Sequence, residues 1–78
     1  MNKVEDKIIS IIAQVLGVSN NEVQEETSIG DLPTWDSLNH LQIIAKIEKE
    51  FGIKFTPDVM IELEDVSDIV TATKERIK

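Results

Sequence analysis

An all-α fold, four helical pieces in one bundle with a long first loop and a short third helix, is predicted by three observations on this 78-residue chain. Three stretches repeat apolar residues at spacings of three, four and seven, the signature of a helix with one buried face. Glycine, proline or a capping residue punctuates the ends of those stretches. One short alternating run exists, Ile53-Lys54-Phe55-Thr56, but no second run can pair with it, so it reads as an extended linker. The length suits a single domain, residues 1–78, with one core and no deep cleft.

The first helix is expected over residues 3–16. Val4, Ile8, Ile11, Ile12 and Val15 recur at helical spacing, Ile9 and Leu16 broaden the face, and Gly17 ends it. Glu5 and Asp6 lie in its first turn, where the helix dipole favours negative charge. From Val18 to Trp35 no period is sustained. Ser19 and Glu22 match a capping box around a helical turn at residues 20–24, and Val23, Ile29 and Leu32 are spaced apolar anchors. Gly30-Asp31 and Pro33-Thr34 mark turns that redirect the chain, so this loop is read as ordered.

The stretch Thr34–Gly52 contains the central helix, about sixteen residues and roughly 24 Å long. Leu38, Leu41, Ile44, Ala45 and Phe51 are read as its buried face, widened by Ile43 and Ile47. Asp36 precedes the pattern and is placed to cap the free backbone N–H groups; Gly52 follows it and suits a left-handed cap. After the linker, Thr56-Pro57 starts a short third helix to about Glu62, with proline at the first position. Asp65 then caps a last helix from Val66 to about Ile77, its inner face Val66, Ile69, Val70, Thr73 and Ile77. Lys74, Arg76 and Lys78 sit near its C-terminus, as the dipole prefers.

Composition removes several functions. Apolar residues make up 41% and charged residues 29%, a globular balance. The formal charge of −7 disfavours nucleic acid and anionic membrane surfaces, since phosphate binding needs clustered lysine or arginine. It suits steering towards basic patches on partner proteins. There is no cysteine, hence no disulfide, thiolate metal site or cysteine nucleophile; a thiol must come from a cofactor. The N-terminus is polar and no apolar run approaches 18 residues, so neither a signal peptide nor a membrane span is expected. An EF-hand starting at Asp31 would need glycine sixth and glutamate twelfth, but Asp36 and Gln42 stand there, so no metal site is read.

Ser37 falls in the first turn of the central helix, an exposed and electropositive position suited to a phosphate. Serine near a helix start is commonly a cap, but Asp36 already supplies a capping oxygen. His40 lies one turn on, which raises a Ser–His nucleophile pair; no G-x-S-x-G context or oxyanion hole accompanies it, and it reads as a surface histidine. Trp35 has two readings, a residue packing the loop onto the bundle or a contact that partners feel.

Asp36-Ser37-Leu38, opening a helix in the middle of a small acidic chain, resembles the attachment motif of the acyl carrier protein family. The likeness covers nearly the whole chain: apolar first helix, long loop, Asp-Ser-Leu helix, Phe51-Gly52-Ile53, short linker, and last helix from Val66. It implies an acyl-carrier-like four-helix bundle that is not an enzyme. It also implies 4′-phosphopantetheine from coenzyme A joined to Ser37, with Asp36 and Leu38 beside it. The cofactor's thiol would hold an acyl or aminoacyl group as a thioester. Leu38, Leu41, Ile44 and the facing Ile, Val and Met60 side chains have two readings, a shelter for an acyl chain between helices or a simple well-filled core. The implied partners are a phosphopantetheinyl transferase and acyl- or aminoacyl-loading and transfer enzymes, met through Trp35, Asn39, His40, Gln42, Lys46 and Lys49. A cytoplasmic monomer is expected. General fatty-acid carriers usually have Gly-x-Asp-Ser-Leu and carboxylates where this helix has Asn39, Gln42 and Lys49; the departure resembles dedicated stand-alone carriers. An aminoacyl (peptidyl-type) carrier and a small acidic helical adaptor without covalent cofactor are the alternatives.

Overall fold

The computed structural model describes residues 3–77, so Lys78 of the predicted C-terminal basic cluster lies outside the described residues. Helix α1 spans Lys3–Leu16, a short 3₁₀ turn Asn20–Glu22, α2 Ser37–Phe51, α3 Pro57–Glu62 and α4 Val66–Arg76. Helix makes up the architecture, as expected, and α1 packs against both α2 and α4. The elements start and stop where the local chemistry dictates. Asp36, Thr56 and Asp65 each cap a helix with a side-chain oxygen that accepts from the backbone N–H three residues on. Gly52 ends α2 in the left-handed conformation, φ +66°, which costs a residue without Cβ little.

The core is aliphatic. Ile8, Ile12, Ala13 and Leu16 of α1 meet Ile43, Ile44 and Ile47 of α2 and Val66, Ile69, Val70 and Ala72 of α4. Trp35, Val23, Phe55 and Leu63 from the connections complete it. Helix α3 contributes no buried residue of its own; Val59 and Met60 rest partly against the core, and Ile61 is exposed.

The inner face of α2 is narrower than the one read from sequence. Ile43, Ile44 and Ile47 are buried as expected and His40 joins them, but Leu38 is 67% exposed and Leu41 57%, Ala45 faces solvent and Phe51 is half-buried. Two stripes of α2 obey the same three-four-seven spacing. The one that faces the bundle carries three isoleucines; the other ends in Lys46 and Lys49, whose ammonium groups cannot be buried unpaired. Leu38 and Leu41 therefore do not line a space between helices.

The first connection is ordered by backbone bonds to the far end of the chain. Ile29 donates to the Glu64 carbonyl at 2.8 Å, Val66 to that of Thr27 and Ser67 to that of Glu25, both at 3.0 Å. The last two satisfy N–H groups at the start of α4 that no helix can satisfy internally. Val23 is buried and Ile29 and Leu32 pack partly on the core, as their spacing suggested. Thr34 Oγ1 donates to the Leu16 carbonyl at 2.9 Å, tying the end of the loop to the end of α1.

Candidate functional site

The chain arrives at α2 through Trp35 and Asp36. Trp35 is 1% exposed, so the ring anchors the loop in the core immediately before the helix. Asp36 has extended backbone, and its carboxylate accepts from the Asn39 N–H at 2.9 Å. Asn39 Nδ2 donates back to the Thr34 carbonyl at 2.6 Å, closing a small ring of bonds around the first turn. Ser37 is thereby fixed as the first residue of α2. It is exposed, and among the described residues its hydroxyl enters no hydrogen bond. The Ser37 and Leu38 N–H groups have no intrahelical acceptor by position, and the helix dipole adds partial positive charge there.

The geometry meets the needs of a phosphate ester. An exposed hydroxyl with no competing partner is open to another enzyme, and a helix N-terminus tolerates the charge that the product carries. Because Asp36 does the capping, Ser37 is not required for it. These residues fit a phosphopantetheine attachment.

Two of the expected surface contacts lie inside. Trp35 Nε1–H donates to His40 Nδ1 at 3.0 Å, with the rings stacked at 6.0 Å between centroids. His40 is only 8% exposed, because it shares the inner stripe with Ile43, Ile44 and Ile47. Neither side chain is displayed on the outer surface of α2, and the burial of Trp35 matches its packing reading. The bond at Nδ1 places the proton of the neutral ring on Nε2, which is buried and, among the described residues, meets no acceptor in good hydrogen-bond geometry, the Leu63 backbone being only a weak neighbour. Burial pushes the His40 pKa below its ordinary 6.5, opposed by a weaker interaction with the backbone of Leu63. With Nδ1 engaged by Trp35 and Nε2 enclosed, His40 cannot act as a base for Ser37.

The other predicted contacts divide. Asn39 is half-buried and its amide is committed to Thr34. Gln42, Lys46 and Lys49 are exposed on α2, and Leu38 and Leu41 join them there. Sequence reasoning missed Leu41 as a surface residue, although its stripe continues into Lys46. Asp31, tested as a metal ligand, instead accepts from the Ser28 N–H at 2.8 Å to hold a turn. Among the described residues no group of three or more histidine, aspartate or glutamate side chains is placed to hold a metal. No helix among them is long and apolar enough to cross a membrane.

Comparison with known proteins agrees with this geometry. Residues 6–73 match the family described as phosphopantetheine attachment site. The acyl carrier protein of Porphyromonas gingivalis is 30% identical over 78 residues, covering all of both chains. That of Nitratidesulfovibrio vulgaris is 37% identical over 73 residues, covering 94% of this chain and 96% of the relative. The solution structure of the holo acyl carrier protein from Geobacter metallireducens superposes with a TM-score of 0.84 at 28% identity, over 96% of this chain and 86% of that one.

Proposed function

This chain belongs to the acyl carrier protein family and carries covalent 4′-phosphopantetheine; we propose that Ser37 is the attachment residue. The observation that supports this most strongly is a hydroxyl that is exposed, unbonded and positionally fixed at the head of α2, with Asp36 already serving as the cap. In the transfer, Ser37 Oγ bonds to the pantetheine-bearing phosphorus of the coenzyme A diphosphate, the bond from that phosphorus to the oxygen of the departing adenosine 3′,5′-bisphosphate breaks, and the hydroxyl proton passes to a base on the transferase. Asp36 and Asn39 hold the serine in place, and the free N–H groups of the first turn face the phosphodiester charge. When bound, the cofactor supplies the thiol that a chain without cysteine lacks.

The cargo is read as an acyl group presented to loading and transfer enzymes by a cytoplasmic, monomeric, dedicated carrier. The exposed face of α2 supports the last point: Gln42 and Lys49 stand where carboxylates would match a basic docking patch. An aminoacyl cargo is the second reading within the family, separable by which adenylating enzyme loads the protein.

Incubation with coenzyme A and a phosphopantetheinyl transferase should add the mass of one phosphopantetheine group. Ser37→Ala should abolish that gain while leaving helical circular dichroism unchanged and stability within about 0.5 kcal/mol. A modified Ala variant would move the attachment elsewhere, and no gain on the parent chain would leave the small acidic adaptor.

A further inference from the structure

The outward stripe of α2 is Leu38, Leu41, Gln42, Ala45, Lys46 and Lys49, spaced three, four, seven, eight and eleven residues from its first member. All six are exposed, and none is a carboxylate. Both acids of the helix are committed sideways: Glu48 accepts from the Phe55 N–H at 2.8 Å, and Glu50 pairs with Lys7 at 3.0 Å. Among the described residues Lys46 and Lys49 enter no hydrogen bond or ion pair. With Glu50, whose carboxylate is paired to Lys7, they also rim a groove of about 300 Å³ that Ile11 and Gln14 of α1 help to line. Nine of the fifteen acids lie away from it, in residues 22–31 of the first connection and 58–68 around α3, with no lysine or arginine in either stretch, and Asp36 beside Ser37 is taken up by the cap. A chain of net −7 therefore turns an apolar and cationic face outward beside Ser37.

We propose that this stripe docks a protein partner whose surface offers an apolar socket beside the channel for Ser37 and carboxylates farther along α2. The proposal rests on the carrier reading above. Leu38 and Leu41 lie within about a turn of the serine. Lys46 and Lys49 lie about 13 and 18 Å along the axis at 1.5 Å per residue, which fixes where the partner's carboxylates stand. Leucines with more than half their surface exposed are the contacts that association would bury. The uncommitted ammonium groups give the complex its register. A partner with a basic rim meets like charge at the same positions, and the acidic remainder of the carrier does not shield it beyond a Debye length of about 8 Å at physiological salt.

The test uses isotope-labelled protein whose phosphopantetheinylation has first been verified by mass, so failed attachment counts against the carrier reading and not against the docking face. It is titrated with two synthetic amphipathic helical peptides sharing one leucine face, one flanked by glutamate and the other by lysine. The glutamate peptide should shift the backbone resonances of residues 38–49 and bind there about 2- to 30-fold more tightly than the lysine peptide, the range for two exposed ion pairs. Lys46→Gln with Lys49→Gln should erase that preference, and Leu38→Ser with Leu41→Ser should weaken both peptides on this face. High salt should shrink the preference. The proposal fails if the lysine peptide binds this face as tightly or more so. It also fails if the shifts map elsewhere, if the preference survives loss of the two lysines, or if neither peptide binds at millimolar concentration.

Discussion

The two sides of α2 share one backbone and one spacing rule, yet they do opposite work. The inner side, His40, Ile43, Ile44 and Ile47, is closed against α1 and, through Trp35, against the end of the first connection. The outer side, from Leu38 to Lys49, is open along its whole length. Ser37 sits where the two sides begin, anchored by the first and displayed by the second. Apolar spacing identifies a helix but does not by itself choose the side that is buried; the residues at the far end of each stripe do that, because three isoleucines can enter a core and two unpaired lysines cannot.

The largest expected contrast is in stability. Ile43→Ala removes a side chain with no exposed surface and should cost about 2–5 kcal/mol, against a total of about 4–12 kcal/mol for a chain of this length. Thermal unfolding should show a clearly lower midpoint; an unchanged one would make the inner side no different from the outer. Next comes the polar anchor within the inner side. Trp35→Phe keeps an aromatic ring but leaves His40 Nδ1 buried without its donor, and should cost about 1–3 kcal/mol by denaturant titration.

The same anchor should be sensitive to acid. The folded state holds the His40 pKa below 6.5, so the unfolded chain takes up its proton first as pH falls. The stability contributed by the neutral ring is complete above about pH 6.5 and is lost as pH falls through the folded value. Denaturation midpoints should fall over that window, and His40→Gln should flatten the fall relative to the parent; an identical slope in the variant would assign the acid sensitivity to the carboxylates. The smallest effect belongs to the outer side. Leu41→Ala, at 57% exposure, should change stability by no more than about 0.5 kcal/mol. A cost comparable to that of Ile43→Ala would restore Leu41 to the core.

Much of the fold was legible because the relevant signals are local. Asp36, Gly52, Thr56-Pro57 and Asp65 mark helix ends through bonds to neighbours three or four residues away, and the structure places all of them as caps. The exposed first-turn position of Ser37 was legible for the same reason, beside a cap that needs no help. His40 was recoverable: it precedes Ile43, Ile44 and Ile47 at three, four and seven, so its own stripe pointed inward. Its partner Trp35 was harder, because that residue lies outside the helix and has no period to follow. The bonds from Glu25, Thr27 and Ile29 to Glu64, Val66 and Ser67 were not legible at all. Backbone pairing across some forty residues carries no local pattern, and an apparently unstructured loop owes its order to it.

The packing of α1 against α4 has a consequence for how the molecule assembles. These helices stand at opposite ends of the described chain, and everything between them, residues 17–65, must be looped before they can meet. An all-helical domain of this size is usually rich in local contacts and quick to fold, but here closure carries the entropy of a long loop. On a ribosome, α2 and its serine emerge well before α4 does. A transferase that recognises the finished bundle, acting on Ser37 as proposed, would therefore wait for the C-terminal helix, however early the serine comes into view.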